Sequence, residues 1–322
     1  MDPLTHGLVG VAISAFSGDA VSIESSITIG AMLGAMSPDL DFVIRLFKDD
    51  AAYLEHHRGK SHSVPYLAGF SIVITLLLSQ MGFVGFSFFT TLMWTFLGAL
   101  SHTGLDILNS YGAKLFKKKV KASLLTLYDP VITLVGLYFI INGKNKPIEL
   151  FSGVVLIVIY LMIRNISRRL AAERLNAYFN ENYTAVDVHV IPALKAFYKW
   201  DFVAHTSTHD IVGQFNPWMI LRQNKDCIKI SRIFEVADQW YFELFKSSAV
   251  GELFTQFSPN LHIKVMGDSD NEHLILRATD LRYFTRSEFM HHATLTLDKD
   301  HNFVSSQLHP YKLKKVIPVY QN

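Results

Sequence analysis

Apolar stretches of nearly membrane-spanning length constrain the fold of this chain more than any other feature. Two of them, Val64 to Met81 and Val84 to Leu100, are close to the roughly 20 residues that cross the hydrocarbon core of a bilayer. Val131 to Ile141 is short but extends through Tyr128 and Pro130, and Ile148 to Ile163 is a further predicted span. Gly7 to Phe16 is shorter, and Ile27 to Phe47 is interrupted by Pro38 and two aspartates. We expect these two stretches to form a hairpin of partly inserted or broken helices. The first half therefore predicts an α-helical multi-pass membrane domain of about six helices, some short or broken.

The second half of the chain has a different pattern, in which apolar and polar residues alternate with the period of two that is typical of strands. Segments of this kind are 186–190, 227–230, 262–265, 273–276 and 293–297. Turn-rich pieces such as Gly267 to Asn271 separate them. We therefore divide the chain into a membrane-embedded helical domain at residues 1–170 and a small, mainly β, soluble domain at residues 175–322.

Composition agrees with a membrane protein and argues against some other classes. Half of the residues are hydrophobic and the mean hydropathy is +0.22, with the excess in the first half of the chain. The net charge of +2 gives no basic footprint for nucleic acid, so no nucleic-acid partner is expected. Cys227 is the only cysteine, so the chain cannot form an internal disulfide, which fits a reducing compartment.

Basic residues predict an orientation in the membrane, because cytoplasmic loops are enriched in Lys and Arg. With six helices, three basic clusters fall on the same side: Arg45 to Lys60, Lys114 to Lys121 and Arg164 to Arg174. We therefore expect the N-terminus, these loops and the C-terminal domain to face the cytoplasm. The same topology brings the histidines and aspartates described next to one membrane face.

Four histidine and aspartate motifs lie at the ends of the apolar stretches: Thr5-His6-Gly7, Ser37-Pro38-Asp39-Leu40-Asp41, His56 to Ser63 and His102-Thr103-Gly104-Leu105-Asp106. Imidazole and carboxylate together suit zinc, manganese or iron, and an ionisable group at the edge of a bilayer is costly without a partner. His102 and Asp106 are four residues apart, so a helix places both on one face, where they can bind one ion. The alternative is a helix-terminal histidine that donates to a carboxylate for structural reasons.

Asp39 and His6 are further candidate ligands, and each has a structural alternative. Asp39 and Asp41 follow Pro38, and a broken turn directs both into one cavity or leaves one as an outer partner of the metal. The alternative is a helix boundary at which an acidic residue caps backbone amides. His6 considered alone is ordinary polar surface near a terminus, and only the shared membrane face makes it a candidate ligand.

The segment His56 to Ser63 combines three imidazoles, one guanidinium and two hydroxyls directly before an apolar stretch. We assign His57 and His62 as metal ligands and Arg58 as a clamp on a phosphate, since a planar fork of donors matches phosphate oxygens. The alternative is a basic loop attracted to anionic lipid headgroups. Asp129, which precedes Pro130, either completes the site or caps the next helix.

These motifs in this order, beginning with Met1-Asp2-Pro3-Leu4-Thr5-His6-Gly7, are specific. The chain resembles the YdjM-like, LexA-binding family of metal-dependent hydrolases of the bacterial inner membrane, over roughly residues 1 to 170. The resemblance implies a multi-pass bacterial inner-membrane protein with hydrolase activity, and it carries over no substrate.

A more distant similarity connects the same residues to zinc-dependent phospholipases C. Their helical site uses a histidine near the N-terminus, an early aspartate, a following histidine and an H-x-x-x-D pair. The similarity implies that five residues are ligands here: His6, Asp39, His62, His102 and Asp106. The further downstream His and Glu ligands of those enzymes have no match in this chain, so we expect one or two ions instead of three.

Together these observations predict a membrane-bound metal-dependent hydrolase that acts on a phosphoester, such as a phospholipid headgroup, through a metal-activated water. Arg58 holds the phosphate, and Asp41 or Asp129 is the general base. The expected cofactor is a divalent metal, zinc first and manganese or iron as alternatives; the expected partner is membrane lipid, and no protein partner is indicated. The competing hypothesis is a non-enzymatic membrane scaffold or regulatory protein with a structural metal, which a closed site with four protein ligands would favour.

Overall fold

The structure is a computed structural model in which residues 2–39, 62–110, 112–114, 119–142, 146–194, 196–222, 227–268, 273–282, 284–285, 288–310 and 313–320 are described. The chain divides into two compact units, Met1–Ile166 and Ser167–Asn322. The boundary falls inside one long helix, a few residues before the boundary placed between residues 170 and 175 from the sequence.

Helices make up most of the first unit. They are α1 (Pro3–Ser14, followed by a 3-10 turn at Ala15–Ser17), α2 (Ser26–Met36), α3 (Val64–Ser79), α4 (Phe88–Leu108), α5 (Pro130–Asn142) and α6 (Pro147–Asn180), which continues into the second unit. A short hairpin joins β1 (Ala113–Lys114) to β2 (Lys119–Val120). Proline lies in the first turn of α1, α3, α5 and α6, where its missing N–H costs no helical hydrogen bond. Asp2 caps α1 by accepting from the Thr5 amide at 3.0 Å.

Helices α2 and α4 approach each other closely because glycines lie at their interface. A Cβ atom on Gly34 would lie 2.1 Å from the Thr95 carbonyl oxygen, and one on Gly98 would lie 2.1 Å from the Ala31 carbonyl oxygen. Helix α1 packs against α2, α4 and α5, and α3 packs against α2 and α4. Hydroxyl side chains are buried in this bundle, namely Ser26, Thr28, Ser71, Thr75, Thr91 and Thr95. The first unit is therefore a helical bundle with a partly polar interior.

The prediction of a multi-pass membrane domain of about six helices is wrong. Among the helices that the structure describes, only α6 is long and apolar enough to cross a membrane. Helices α3 and α5 are apolar, but their 16 and 13 residues reach only about 24 and 20 Å, against a hydrocarbon core of roughly 30 Å. Helix α4 has 21 residues, but it buries His102, Asp106 and several threonines. The six-span topology that placed the motifs at one membrane face is overturned with the multi-pass fold.

The apolar part of α6, residues 147–166, is the candidate span. Its 20 residues would extend about 30 Å, which matches the hydrocarbon core of a bilayer. Large apolar side chains on it are exposed, among them Ile148, Phe151 and Met162. A contiguous exposed apolar surface of this kind is characteristic of a surface that lipid or another apolar partner covers.

The second unit contains the end of α6, two further helices and two antiparallel sheets. The first sheet consists of β3 (Asp187–Pro192), β4 (Trp200–His205), β5 (His209–Phe215) and β6 (Ile228–Glu235), paired in this order. The remaining elements are α7 (Gln239–Lys246), α8 (Ala249–Phe257), β7 (Leu261–Asp268), β8 (His273–Asp280), a small hairpin of β9 (Phe284–Thr285) and β10 (Glu288–Phe289), β11 (His291–Leu297), β12 (Phe303–Pro310) and β13 (Ile317–Pro318). The second sheet has the order β13-β12-β11-β8-β7.

The five alternating segments of the sequence fall within or overlap β3, β6, β7, β8 and β11. Helices α7 and α8 were not predicted and pack on the second sheet, α7 against β7 and α8 against β11 and β12. The alternating pattern therefore located strands correctly but did not reveal the two short helices between β6 and β7.

The first sheet is covered on both faces within the second unit. On one face the end of α6 contributes Leu175 and Phe179, which pack with Phe202 and Ile211. A partly buried polar chain lies on the opposite face: His205 Nδ1 donates to one Asp210 carboxylate oxygen at 2.6 Å, and His262 Nδ1 on β7 donates to the other at 2.7 Å. Asp210 thus connects the two sheets through charge-assisted hydrogen bonds.

The partly buried carboxyl group of Asp201 on β4 leads us to expect that the stability of the fold depends on pH. Burial raises the pKa of Asp201 to about 6, although Gln214 Nε2 donates to its carboxylate at 2.9 Å. The unfolded value is about 3.9, so the folded state binds this proton more tightly, and the stability contribution of the group falls as pH rises from about 4 to about 6.

We therefore expect Asp201→Asn to raise the thermal unfolding midpoint of the full chain at about pH 7.5, with a smaller gain at about pH 4.5. Circular dichroism melts of both proteins in detergent at the two pH values test this. An equal gain at both values would contradict the assignment.

Candidate metal centre

Five of the predicted ligands converge in the first unit, and we call them the ligand cluster. His6 lies on α1, Asp39 just after α2, His62 just before α3, and His102 and Asp106 on α4. The three histidines are fully buried, Asp106 is 1% exposed, and the Asp39 side chain is 21% exposed. Residues distant in sequence therefore meet in the interior of the bundle.

The distances within the ligand cluster are those of metal ligands. His62 Nε2 lies 3.2 Å from His102 Nε2 and 3.4 Å from Asp106 Oδ2. His102 Nε2 lies 3.5 Å from Asp39 Oδ1, and His6 Nε2 lies 3.5 Å from Asp106 Oδ1. A tetrahedral ion with ligand bonds of about 2.0–2.1 Å separates neighbouring ligand atoms by about 3.3 Å. Nitrogen to oxygen distances near 3.5 Å are long for hydrogen bonds but suit two atoms that share an ion.

The backbone fixes the orientation of His102. Its Nδ1–H donates to the Ala35 carbonyl oxygen at 2.7 Å, so the lone pair of the neutral ring is on Nε2, which faces the cluster. Histidine ligands of metals nearly always donate their other N–H to such an acceptor. Asn109 orients Asp106 in the same way, because its Nδ2 donates to Asp106 Oδ1 at 2.8 Å where α4 ends.

His6 provides a test of whether the residues fit a metal. Its ring stacks on that of His102 at a centroid distance of 3.7 Å, and neither of its nitrogens hydrogen-bonds to the described part of the chain. A buried polar atom left unsatisfied costs about 1–3 kcal/mol, which coordination would offset. Three imidazoles and two carboxylates are also donors that zinc, manganese and iron accept. The residues present therefore fit a divalent metal.

Protonation states in the cluster agree with this interpretation. Burial lowers the pKa of His6 to about 4 and also lowers the pKa of His62. His6 and His62 are therefore neutral at neutral pH, which is the form in which an imidazole binds a metal ion.

The cluster contains two overlapping triads. One is His6, Asp39 and His102, and the other is His62, His102 and Asp106; the ligand atoms of each triad lie within 4.8 Å of one another. Both triads include His102, whose Nε2 can bind one ion only. The donors suffice for one or two ions, and the number stays a prediction.

Of the four other predicted site residues, the structure describes one, Asp129, which does not belong to the ligand cluster. Asp41, His57 and Arg58 lie outside the described residues. Asp129 Oδ1 accepts from the amides of Val131 and Ile132 at 3.2 and 3.4 Å, and Oδ2 accepts from the Tyr160 hydroxyl at 2.8 Å. These contacts match the helix-capping alternative for Asp129, and its role as a base stays a prediction.

Two contacts near the predicted site residues were not predicted from the sequence. The Ala35 carbonyl is a backbone atom, and no residue type signals its role. Tyr160 lies in an apolar stretch, four residues before Arg164, whose Nε donates to the Leu124 carbonyl at 2.8 Å. Two polar residues one turn apart in an apolar helix were the available signal of a polar contact on that face.

Comparisons with known proteins identify relatives of both halves of the chain. The model of the YdjM inner membrane protein family matches residues 1–171, which contain the whole ligand cluster, and that of the YfhP C-terminal alpha/beta plait domain matches residues 241–317. The chain is also similar to the uncharacterized protein YfhP of Bacillus subtilis (strain 168), with 25% identity over 322 residues, covering 95% of this chain and 94% of that protein. No solved structure matches the chain. The predicted resemblance to the YdjM family is thus confirmed over residues 1–171. None of these names mentions a hydrolase or a phospholipase, so hydrolase activity and the similarity to phospholipases C stay predictions.

Proposed function

Because the chain belongs to the YdjM inner membrane protein family, we propose that it is a bacterial inner-membrane, metal-dependent hydrolase that acts on a phosphoester such as a phospholipid headgroup. The observation that carries the proposal is the buried ligand cluster, whose donor atoms stand at metal-ligand spacing. Its two outer hydrogen bonds, from His102 to Ala35 and from Asn109 to Asp106, further support a metal centre.

Catalysis needs an open coordination position that substrate can reach. Asp39 is the one member of the cluster with substantial exposure, so we propose that substrate approaches from its side. A bound divalent metal would polarise a phosphoryl oxygen and acidify a coordinated water. His102 and Asp106 hold their donor atoms in fixed directions, which keeps the site preorganised.

The substrate-binding and general-base roles are proposed for Arg58, Asp41 and Asp129. We propose that Arg58 binds the phosphate, because a guanidinium has no lone pair for a metal and offers a planar fork of donors. Asp41 or Asp129 would accept the proton of the attacking water. Zinc is the first choice of metal, with manganese or iron as alternatives.

Asp39→Ala and Arg58→Lys are expected to separate these roles. Asp39→Ala should lose metal and activity together, because a ligand is removed. Arg58→Lys should retain metal but lower turnover about 10-fold or more, since a charge-assisted hydrogen bond of about 1.5–3 kcal/mol is lost. Metal analysis and hydrolysis of bis(4-nitrophenyl) phosphate and of phosphatidylglycerol vesicles by the full chain in detergent measure both effects.

Arg232→Lys is the matched control, because Arg232 is an exposed arginine on β6 of the second unit. It should change neither metal content nor turnover. If Arg58→Lys strips the metal while Asp39→Ala keeps it, the role assignment is wrong, and His56 to Ser63 is then a structural support of the fold.

A scaffold or regulatory protein with a structural metal is the second candidate. The near-complete burial of His6, His62, His102 and Asp106 favours it, because structural sites are closed. Metal-loaded protein that unfolds at a higher temperature than metal-free protein, but hydrolyses neither substrate, would support the scaffold and contradict the hydrolase.

The second unit is proposed to lie in the cytoplasm. Basic residues follow the apolar part of α6, namely Arg168, Arg169 and Arg174, whereas Lys144 and Lys146 precede it. The larger basic group marks the cytoplasmic end of a span. We expect alkaline phosphatase fused after Asn322 to be inactive and a green fluorescent protein fused there to fluoresce; an active phosphatase fusion would overturn this orientation.

A further inference from the structure

One end of the first sheet of the second unit carries exposed aromatic side chains. The connection from β3 to β4 exposes Phe197 at 41% and Tyr198 at 43%, and the connection from β5 to β6 exposes Trp218 at 70%. The pairing registers place both connections at the same end, because Pro192 pairs with Trp200 and Phe215 with Ile228. We call this end, defined by Phe197, Tyr198, Lys199 and Trp218, the aromatic end.

The opposite end of the same sheet is polar. There the connection from β4 to β5 consists of Thr206, Ser207 and Thr208, with Ser207 and Thr208 exposed. The strands of six to eight residues separate the two ends by about 20 Å. The two ends of one sheet therefore differ in side-chain chemistry, and the polar end serves as an internal control for the aromatic end.

The aromatic end lies where α6 enters the second unit. Trp200, the first residue of β4 at this end, donates from Nε1 to the Ser167 hydroxyl at 2.9 Å. At the polar end, the Ser207 amide donates to the Thr184 carbonyl at 3.0 Å, just after α6 has ended. Within the second unit α6 thus runs from the aromatic end to the polar end, and Ser167 directly follows the apolar residues 147–166.

The chemistry of this end suits the headgroup layer of a membrane. Trp and Tyr concentrate at membrane interfaces, where an apolar ring and a polar group are both accommodated. Lys199 lies with Nζ 5.6 Å from the Tyr198 ring centroid, and the exposed Arg169 follows the apolar segment by one turn. Cations at this level attract anionic lipids at about 1 kcal/mol each.

We propose that the aromatic end binds the surface of a lipid bilayer with anionic headgroups, the same bilayer that the apolar part of α6 enters. The second unit is then held against the membrane at two places, by α6 and by the two connections of its first sheet. This inference does not depend on the metal centre or on hydrolase activity.

Site-specific fluorescence in vesicles tests the proposal on the full chain. The native cysteine is first removed by Cys227→Ala. A single cysteine is then introduced into this variant, either as Trp218→Cys at the aromatic end or as Thr208→Cys at the polar end. Each variant is labelled with a nitrobenzoxadiazole dye and reconstituted into vesicles of phosphatidylcholine and phosphatidylglycerol. We expect the dye at residue 218 to emit at shorter wavelength, to be quenched by shallow spin-labelled lipid, and to be quenched several-fold less by iodide than the dye at residue 208.

Equal iodide quenching at the two positions would overturn the proposal. Shielding of residue 218 in native membranes but not in pure lipid vesicles would also overturn it, because a protein partner would then cover this end. Unlabelled chain provides a second measurement that leaves Cys227 in place: spin-labelled lipid should quench the tryptophan fluorescence of the unmodified protein more than that of Trp218→Phe, and equal quenching would count against the proposal.

Discussion

Purified full chain carrying His102→Ala or Asp106→Asn is expected to contain little or no transition metal, whereas the unmodified chain is expected to contain one or two ions. Both residues belong to the triad of His62, His102 and Asp106, and His102 also belongs to the other triad, so each substitution removes a donor atom from the cluster. Loss of an outer partner of a ligand already lowers metal affinity about 10–100-fold, and loss of a ligand should exceed this. Elemental analysis after purification, together with competitive zinc titration, measures the change.

Asn109→Ala is the graded counterpart of these variants. It keeps every donor of the cluster but removes the hydrogen bond that orients Asp106, so we expect a drop in metal affinity of about 10–100-fold. His209→Ala, on β5 of the second unit, should leave metal content unchanged. Unchanged occupancy in the His102→Ala, Asp106→Asn double variant, with helical circular dichroism intact, would remove both residues from the site.

Part of the candidate metal centre could be predicted because two of its residues are close together in the sequence. His102 and Asp106 are four residues apart, and α4 indeed places their side chains together, with His102 Nε2 3.7 Å from Asp106 Oδ2. His6, Asp39 and His62 come from other elements, and only the packing of the bundle brings them to α4. The sequence argument reached the same group of residues by way of a shared membrane face, and the six-span topology behind that argument was wrong.

The error in the membrane topology has a physical cause. Hydropathy is an average over residues, but a helix buries one stripe and exposes another. Helix α3 buries Ser71 and Thr75, and α4 buries Thr91 and Thr95, so polar groups of apolar stretches face the inside of a bundle. A sequence average cannot tell these stretches from spans whose whole circumference meets lipid.

The short helices of the second unit were missed for a related reason. Helices α7 and α8 have eight and nine residues, and Asp238 and Ser248 cap their first turns. Isolated helices of this length are not stable by propensity, so they depend on packing against the second sheet. The capping residues were the available sequence signal, and the alternating pattern on either side obscured it.

The close contact between α2 and α4 leads to a second prediction of large effect, in which Gly98→Ala destabilises the chain. A Cβ atom on Gly98 would lie 2.1 Å from the oxygen and 2.9 Å from the carbonyl carbon of Ala31, both backbone atoms that no side-chain rotation can move. Helices α2 and α4 would have to separate, and overpacking of this kind costs about 1–3 kcal/mol or more. Denaturant unfolding of the full chain in detergent, followed by circular dichroism, measures the loss.

Gly104→Ala provides the matched control, because it makes the same change on the same helix. Gly104 is exposed, and apart from its chain neighbours and the adjacent backbone of α4, no heavy atom of the described residues lies within 4 Å of its Cβ position. Alanine exceeds glycine in helix propensity by about 0.8–1.0 kcal/mol, so this variant should be more stable than the unmodified chain.

Gly98 lies one turn before His102, and separation of α2 from α4 would also pull His102 Nδ1 away from the Ala35 carbonyl. We therefore expect Gly98→Ala, but not Gly104→Ala, to weaken zinc binding; equal effects of the two variants on stability and on zinc affinity would show that close contact between α2 and α4 does not position the ligand cluster.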